Sequence, residues 1–287
     1  MNASAQRLGL WFGLLGVVTF SFTLPATRVA VQGGLSPAFV GLGRAVVASV
    51  FAAIALIVAK SKFPARQHWL GLVGVALGCI VGFPWLTAVA LREVPSAHGA
   101  VLTGLLPLAT AMVARFRTHE RPTVKFWICA LAGSLTVVFY AIHTGGGSFQ
   151  PGDWYLLAAM GSAAIGYAEG GILARSLGGW QTMCWALVLA GPILIFPVWR
   201  GFPAEIHSIA PKAWLGFAYT CVFSMFLGMI WWYRGLGLGG IARVGQVQLL
   251  QPFLTLLWAA LLLEETWNWL SLLCAAIVVA FVAIGRR

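Results

Sequence analysis

The chain has 287 residues, of which 60% are hydrophobic and 9% are charged, and its mean hydropathy is +0.90. Soluble domains are roughly 45–50% apolar and about 25% charged, so this composition excludes an ordinary soluble domain and predicts an integral membrane protein. The net charge of +11 does not indicate nucleic-acid binding, because the Lys and Arg residues stand at the ends of apolar runs instead of clustering on one polar face.

Ten apolar runs are long enough to cross a bilayer. A hydrocarbon core of roughly 30 Å requires about 20 apolar residues in a helix, and the runs are continuous where barrel strands would alternate. The first run is longer than the apolar part of a signal peptide and lacks a good cleavage site, so we expect it to remain. The runs predict ten transmembrane helices, called spans 1 to 10, at about residues 8–31, 37–59, 68–91, 95–116, 124–143, 153–174, 180–199, 212–233, 240–263 and 267–285.

The basic residues set the expected orientation. If the N-terminus is cytoplasmic, thirteen of the eighteen Lys and Arg lie on the cytoplasmic side and four on the outer side. Lys and Arg favour cytoplasmic loops. We therefore expect both termini to be cytoplasmic and the protein to lie in a bacterial inner membrane.

The chain is predicted to contain two five-span repeats, residues 1–147 and 148–287. When the sequence is shifted by 145 residues, spans 4 and 5 align with spans 9 and 10. A unit with an odd number of crossings must have a copy that enters the membrane inverted. The loops agree with this, because residues 115–125 carry four bases whereas residues 260–270 carry two acids and no base.

The fourth span of each repeat has the same spacing of proline and glutamate. Pro107 is followed thirteen residues later by Glu120, and Pro252 by Glu265. Inverted repeats are the architecture of many secondary transporters, in which two pseudo-equivalent halves open a midplane site to either side. The sequence therefore predicts an all-α membrane protein with a 5+5 inverted repeat and no soluble domain.

The 5+5 pattern and the proline-to-glutamate spacing resemble the drug/metabolite transporter superfamily, and within it the EamA-type exporters. The second copy, from Pro252 through LLLEE to Glu265, fits well, whereas ARFRTHE before Glu120 departs from the pattern. The resemblance implies a cavity lined mainly by spans 3, 4, 8 and 9, with contributions from spans 1 and 6. YddG-like amino-acid exporters, which favour aromatic substrates, are among the similar proteins.

Ionisable residues inside spans are functional candidates because they are unfavourable in lipid. Glu169 in span 6 is interpreted as a carboxylate that meets a substrate ammonium or carries a coupling proton; the alternative is a buried structural partner. Arg44 in span 2 is expected to be structural and to bond free carbonyls between two helices. Arg28 is expected to reach the interface, and His98, at the outer start of span 4, to be solvated.

Span 9 begins with a polar and kinked segment, ARVGQVQLLQPF. Gln248 and Gln251 are three residues apart and share a helix face, whereas Gln246 points elsewhere. Pro252 disturbs the carbonyl four residues back, and backbone groups freed in this way must face protein or water. These glutamines are candidates for substrate contact, with inter-helix bonding as the alternative.

Further candidates are aromatic residues and prolines inside the spans. The aromatic side chains predicted to bind substrate are Trp85, Tyr167 and Tyr233, with packing or lipid contact as the alternative. Pro84, Pro107 and Pro252 are candidate gating hinges. The five cysteines lie singly in apolar runs without a CxxC pair, so no disulfide framework, metal or other cofactor is predicted.

These features favour a secondary transporter that exports small neutral or zwitterionic metabolites by alternating access, with amino acids, including aromatic ones, as the favoured substrates. A carrier for a cationic drug or a nucleotide sugar is the main alternative. An intramembrane lipid-modifying enzyme is less favoured, because the histidines lie in separate loops on both sides and form no catalytic set. The expected partners are a small-molecule substrate and the bilayer; proton coupling and oligomeric state stay open.

Overall fold

The computed structural model describes residues 3–118, 124–144, 150–263 and 269–285. These residues form ten helical spans in the predicted order, and seven of them are long and apolar enough by themselves to cross a membrane. Spans 5, 9 and 10 contain shorter apolar helices. The continuous spans are Pro37–Val58 (span 2), Val124–Thr144 (span 5), Pro151–Ser176 (span 6), Gly179–Arg200 (span 7) and Trp269–Gly285 (span 10).

The other five spans are built from consecutive helical pieces. Span 1 comprises Ala3–Ser21 and Thr23–Gln32; span 3 comprises Trp69–Val75, Ala76–Gly82 and Phe83–Glu93; span 4 comprises Ser96–Thr103 and Leu106–Thr118; span 8 comprises Pro211–Tyr219, Thr220–Gly228 and Met229–Gly239; span 9 comprises Ile241–Gly245, Gln246–Leu250 and Gln251–Leu263.

Local sequence signals set several helix ends. The Ser36 side chain accepts a hydrogen bond of 3.2 Å from the Phe39 amide at the start of span 2, which satisfies an amide that the helix leaves free. Gln150 and Asp153 form a reciprocal capping box at the start of span 6. Gly178 and Gly240 join spans 6 to 7 and 8 to 9 with φ of 97° and 86°, a conformation that glycine adopts without a Cβ clash.

Irregular helix occurs at equivalent places in the two repeats. Span 3 is π-helical over Ala76–Gly82 and span 8 over Thr220–Gly228. Span 4 is interrupted at residues 104–105, and span 9 is 3-10 helical over Gln246–Leu250. The 145-residue shift maps each irregularity in the first repeat into its counterpart in the second. The shared irregularity lies near the middle of these four spans. Because π-helical turns are frequent at functional sites, this region is the candidate location of the functional site.

Prolines follow the interruptions in spans 4 and 9. Pro107 lies at the second residue of Leu106–Thr118, and Pro252 at the second residue of Gln251–Leu263. Proline has no amide hydrogen and is tolerated in the first turn of a helix. The glutamates paired with these prolines in the sequence pattern, Glu120 and Glu265, lie outside the described residues.

The contacts between helices follow a two-fold pattern. Span 2 packs on span 7, span 5 on span 10 and span 4 on span 9. Span 1 packs on span 8, and its equivalent, span 6, packs on span 3. Exchanging each span with its counterpart five places along the chain leaves this set of contacts unchanged. The chain is thus an all-α membrane protein with an inverted repeat, as the sequence predicts.

Close glycine contacts bring the helices of these pairs together. A Cβ built on Gly9 would lie 2.6 Å from the Gly239 backbone, and one on Gly235 would lie 2.8 Å from the Gly13 amide nitrogen. Between spans 3 and 6, a Cβ on Gly78 would lie 2.6 Å from both the Gly166 amide nitrogen and a span 6 carbonyl. Small residues permit such backbone approach, and in lipid close packing is a main source of helix association.

We expect Gly78→Ala to lower the free energy of unfolding by about 1–3 kcal/mol, because the added methyl group must push backbone atoms apart. Gly161→Ala is the matched control on span 6, since a Cβ there would meet nothing within 4 Å. Thermal unfolding of the two variants in detergent measures the effect. Equal melting temperatures would contradict the close packing of spans 3 and 6.

The outer surface of the helix bundle is apolar. Large hydrophobic side chains are widely exposed, among them Ile57, Leu70 and Trp199 with 74%, 76% and 79% of their surface accessible. A soluble protein does not expose apolar side chains around its whole circumference. Lipid is the solvent that matches this surface.

Candidate functional site

A partly open cavity lies between the two repeats, with about 430 Å³ of empty space that includes its opening to solvent. Spans 1, 2 and 3 supply one part of its wall and spans 6, 8 and 9 the other. The residues that line it are Phe20, Thr23, Leu24, Arg44, Cys79, Phe83, Ala163, Tyr167, Ser224, Met225, Met229 and Gln251. Span 4 contributes none of these residues and span 2 contributes Arg44, which corrects the lining expected from the family resemblance.

Aromatic rings form one side of the cavity. The Phe20 and Tyr167 rings are stacked with centroids 6.4 Å apart, and both rings contact Trp232, whose centroid is 6.0 Å from Phe20 and 5.5 Å from Tyr167. Phe20 belongs to span 1, Tyr167 to span 6 and Trp232 to span 8. Three helices from two repeats therefore hold a rigid apolar wall against which a flat apolar group can stack.

Neutral polar groups lie on other parts of the wall. The Thr23 and Ser224 hydroxyls are 2.8 Å apart and join span 1 to span 8. The Gln248 side-chain amide donates to the Gln251 side-chain oxygen over 3.4 Å, so the two glutamines share a face as their spacing predicts. Gln248 also lies beside the Tyr167 hydroxyl. This polar cluster connects span 9 to span 6 next to the cavity.

Arg44 is the cation among the residues that line the cavity. It lies seven residues after Pro37, the first residue of span 2, or about 10 Å along the helix axis, and only 2% of its surface is accessible. Its Nε atom has no hydrogen-bond partner among the described residues. At this atom the described residues therefore do not support the prediction that Arg44 bonds free carbonyls.

The described acids do not neutralise Arg44. Asp153 and Glu169 pair with other residues, and Glu93 and Glu205 are exposed. The ionisable side chains nearest Arg44 are the thiols of Cys79 and Cys221 and the phenol of Tyr167, groups that are ordinarily neutral near pH 7. An arginine at the centre of a transmembrane helix is unfavourable by about 2.5–3.5 kcal/mol on insertion scales, and no acid in the described part of the chain offsets the charge of Arg44.

Glu169 lies outside the cavity wall, in an ion pair with Arg117. Both Glu169 oxygens accept hydrogen bonds from the guanidinium: one from Nε, and one from Nη2 over 3.1 Å. The Glu169 side chain is 10% accessible and that of Arg117 is 47% accessible. The pair joins span 6 to the last turn of span 4, beside Gly74 of span 3. Charge-assisted bidentate pairs of this kind are geometrically specific.

A second contact joins span 9 to span 1, the helix pair that corresponds to spans 4 and 6. The Thr255 hydroxyl donates to the Ser21 carbonyl over 2.9 Å, and the Trp258 indole NH donates to the Ser21 hydroxyl over 3.0 Å. Spans 4 and 6 exchange with spans 9 and 1 when the repeats are exchanged. The two contacts thus join equivalent pairs of helices but not equivalent residues, since the 145-residue shift takes Thr255 to Thr110 and Ser21 lies beside the cavity residues Phe20 and Thr23.

Tyr233, Trp85 and Pro84 are not among the residues that line the cavity. Tyr233 is fully buried and donates over 3.0 Å to the Gly166 carbonyl, which fastens span 8 to span 6. Trp85 is 45% accessible and contacts the Gly41 region of span 2 with its backbone. Pro84 lies at the end of the π-helical turn of span 3. The side chain of Gln246 lies outside the described residues.

His98 differs from its expected environment, and Arg28 bonds the end of a neighbouring span. His98 is buried, with its Nε2 atom 2.5 Å from Asp153 Oδ1, so the expectation of a solvated histidine is wrong. Its partner comes from span 6, which no local pattern reveals. Arg28 donates to the Leu91 carbonyl over 3.4 Å and to the Val94 carbonyl, which satisfies carbonyls that the end of span 3 leaves free.

Sequence reasoning missed most of the cavity wall. Phe20, Thr23, Ser224 and Met225 have no signal that separates them from neighbouring residues of the same apolar runs. Arg44 did have a signal, since it lies deep in a span without a carboxylate at helical spacing. Such a group is expected to face a cavity or a ligand as readily as another helix.

The chain is similar to known membrane proteins over nearly its whole length. The pattern of the EamA-like transporter family matches it twice, at residues 7–142 and 150–285. A protein of Bacillus subtilis (strain 168) named uncharacterized transporter YdeK is 46% identical over 275 residues, which are 96% of each chain. The uncharacterized transporter YyaM of the same organism is 24% identical, covering 88% of this chain and 85% of its own.

More distant matches agree in fold. A chloroplastic WAT1-related protein of Arabidopsis thaliana is 22% identical over 95% of this chain and 68% of its own length. One solved crystal structure superposes with a TM-score of 0.67 over 99% of both chains at 16% identity. The family pattern matches two regions of the chain, and these are the same two halves that the two-fold pattern of helix contacts relates to each other.

Proposed function

Because the chain belongs to the EamA-like transporter family, we propose that it is a secondary transporter that exports small neutral or zwitterionic metabolites, with amino acids, including aromatic ones, as the favoured substrates. The observation that carries this proposal is the cavity between the repeats and the side chains that line it. It combines an aromatic wall with neutral polar groups and one guanidinium.

Transport is proposed to occur by alternating access. The ion pair of Arg117 with Glu169 holds the last turn of span 4 to span 6, and the bonds of Thr255 and Trp258 with Ser21 hold span 9 to span 1 beside the cavity. Because the two pairs of helices are equivalent under the inverted repeat, separating one pair while the other stays closed gives two related states around a fixed site. The interrupted helices beside Pro107 and Pro252 are the proposed hinges.

The protein is proposed to lie in a bacterial inner membrane with both termini in the cytoplasm. The distribution of Lys and Arg supports this orientation, and it places the Arg117–Glu169 pair toward the cytoplasm. A reporter enzyme fused to the C-terminus that is active only outside the cytoplasm is then expected to be inactive. Activity of that reporter would reverse the orientation.

Uptake of labelled amino acids into proteoliposomes, with and without a pH gradient, tests the proposed substrate and its coupling. We expect saturable uptake of phenylalanine or tryptophan, and a response to the gradient if protons are coupled. If a nucleotide sugar or a cationic drug moves and no amino acid does, the substrate class is wrong and the transporter class stands. Empty liposomes and liposomes with heat-unfolded protein are the controls.

The alternative substrates are less compatible with the cavity. A cationic drug would face Arg44 without any described carboxylate in the wall, and like charges at close range in a poorly hydrated site repel strongly. A nucleotide sugar carries a diphosphate, for which the wall offers a single guanidinium. A zwitterion or a monoanion with an apolar body matches the charges more closely.

A further inference from the structure

We propose that Arg44 binds the carboxylate of the transported molecule, and that a carboxylate, not an ammonium group, is what the cavity recognises. This inference rests on the proposed function only in taking the cavity as the transport site. It names the recognised group as a single carboxylate attached to an apolar or aromatic body. It also predicts that an amine without a carboxylate does not bind.

The geometry of Arg44 favours an anion, and the described residues do not supply one. The side chain lines the cavity and is 2% accessible, and its Nε–H has no acceptor among the described residues. Buried polar groups are nearly always hydrogen-bonded, and an exception in a native fold requires an explanation such as a bound ligand. The guanidinium stays protonated at any physiological pH, and its planar fork matches a carboxylate.

The rest of the wall defines what the carboxylate is attached to. Phe20 and Tyr167 line the same cavity as Arg44, and Leu24, Phe83, Met225 and Met229 add apolar surface. Such side chains bind aromatic and aliphatic groups through stacking and flexible contact. The cavity therefore pairs one anion site with an apolar chamber.

An ammonium group has no charged partner in this site. No described carboxylate lines the cavity, and Glu169, the acid predicted to meet an ammonium, has both oxygens bonded to Arg117. The hydroxyls of Thr23 and Ser224 and the Gln251 amide oxygen are neutral acceptors. An α-amino group is thus tolerated but not required, which extends the substrate range to carboxylates that lack it.

Three matched ligands test this recognition on the purified full-length protein. Phenylalanine carries both charged groups, 3-phenylpropionate lacks the ammonium and 2-phenylethylamine lacks the carboxylate. We expect the first two to bind in calorimetry and to raise the melting temperature, and 2-phenylethylamine to do neither. Sodium acetate and sodium chloride at equal concentration distinguish recognition of the whole molecule from binding of a simple anion, and we expect neither salt to replace 3-phenylpropionate.

Variants of Arg44 separate ligand binding from stability. Arg44→Gln is expected to weaken 3-phenylpropionate binding roughly 10- to 100-fold, since a hydrogen bond to a charged group is lost, and Arg44→Lys to retain part of the affinity. Arg44→Gln is also expected to raise the melting temperature of the ligand-free protein, because it removes a buried charge that no described acid offsets.

Arg28→Gln is the control, because it removes the same charge from a side chain that is bonded to carbonyls. We expect it to lower the melting temperature and to leave ligand binding intact.

The binding measurements test the carboxylate site independently of the transport measurements. Binding of 2-phenylethylamine, binding unaffected by Arg44→Gln, or full replacement of the ligand by chloride would each overturn the carboxylate site. A fall in the melting temperature of ligand-free Arg44→Gln, with ligand affinity unchanged, would make Arg44 structural. If 3-phenylpropionate binds through Arg44 but proteoliposomes move no solute, the binding site stands and the transport function fails.

Discussion

Glu169→Gln is expected to lower the transport rate in proteoliposomes about 5- to 10-fold and to expose the end of the bundle at which Arg117 lies. The substitution leaves Arg117 with a neutral partner in place of the bidentate carboxylate, so the closed contact between spans 4 and 6 is weakened. Changes of this size correspond to the lower part of the usual range of roughly 1–3 kcal/mol for coupling between conformational states. The Arg117 side chain is 47% accessible and can be solvated, so we expect the variant to fold.

Labelling of a cysteine at position 173 measures the change in exposure. Leu173 is buried one turn beyond Glu169, and Leu173→Cys in a background without the five native cysteines is expected to react faster with a thiol reagent when Glu169→Gln is present. Glu205→Gln, which removes an exposed acid, is the control with the same charge change.

The partner residue distinguishes the ion pair from the other interpretations of Glu169. Arg117→Gln is expected to reproduce the effect of Glu169→Gln, and the exchange of the two residues to restore part of the activity. If Glu169 instead meets the substrate ammonium or carries a proton, Glu169→Gln alone will change KM or the pH profile. Unchanged transport of Glu169→Gln at every pH would remove all of these roles.

Tyr167→Ala is expected to lower the free energy of unfolding by about 3 kcal/mol and to abolish measurable binding of aromatic ligands. Truncating a large buried aromatic side chain typically has an effect of about 3–5 kcal/mol, and the Tyr167 ring contacts Phe20, Trp232 and the cavity. Loss of the ring removes the centre of the aromatic wall. Thermal unfolding in detergent and calorimetry measure the two effects.

Two variants make this test specific. Tyr155→Ala removes a tyrosine from the same helix at a position that is 40% accessible, and we expect its stability and ligand binding to stay close to those of the unmodified protein. Tyr167→Phe keeps the ring and removes the hydroxyl beside Gln248, so it should keep the stability of the wall. Equal destabilisation by Tyr155→Ala and Tyr167→Ala would contradict the packing described for span 6.

The positions of the spans follow from the sequence because the rule that sets them is local. A helix in lipid must be apolar along its own length and must satisfy its backbone groups within itself. The ten runs, the 145-residue shift and the breaks beside Pro107 and Pro252 are therefore readable from consecutive residues. The shared face of Gln248 and Gln251 can also be read from the sequence, since a spacing of three residues within one helix places both side chains on one face.

Only the tertiary structure decides which face of each helix meets the cavity, another helix or lipid. Trp85 and Trp232 both lie in apolar runs, yet they are 45% and 1% accessible. The Arg117–Glu169 pair joins residues 52 positions apart, while none of the described acids pairs with Arg44. In a membrane both the interior and the solvent are apolar, so hydrophobicity places a helix in the bilayer but cannot orient it, and the packing of all ten helices sets the orientation.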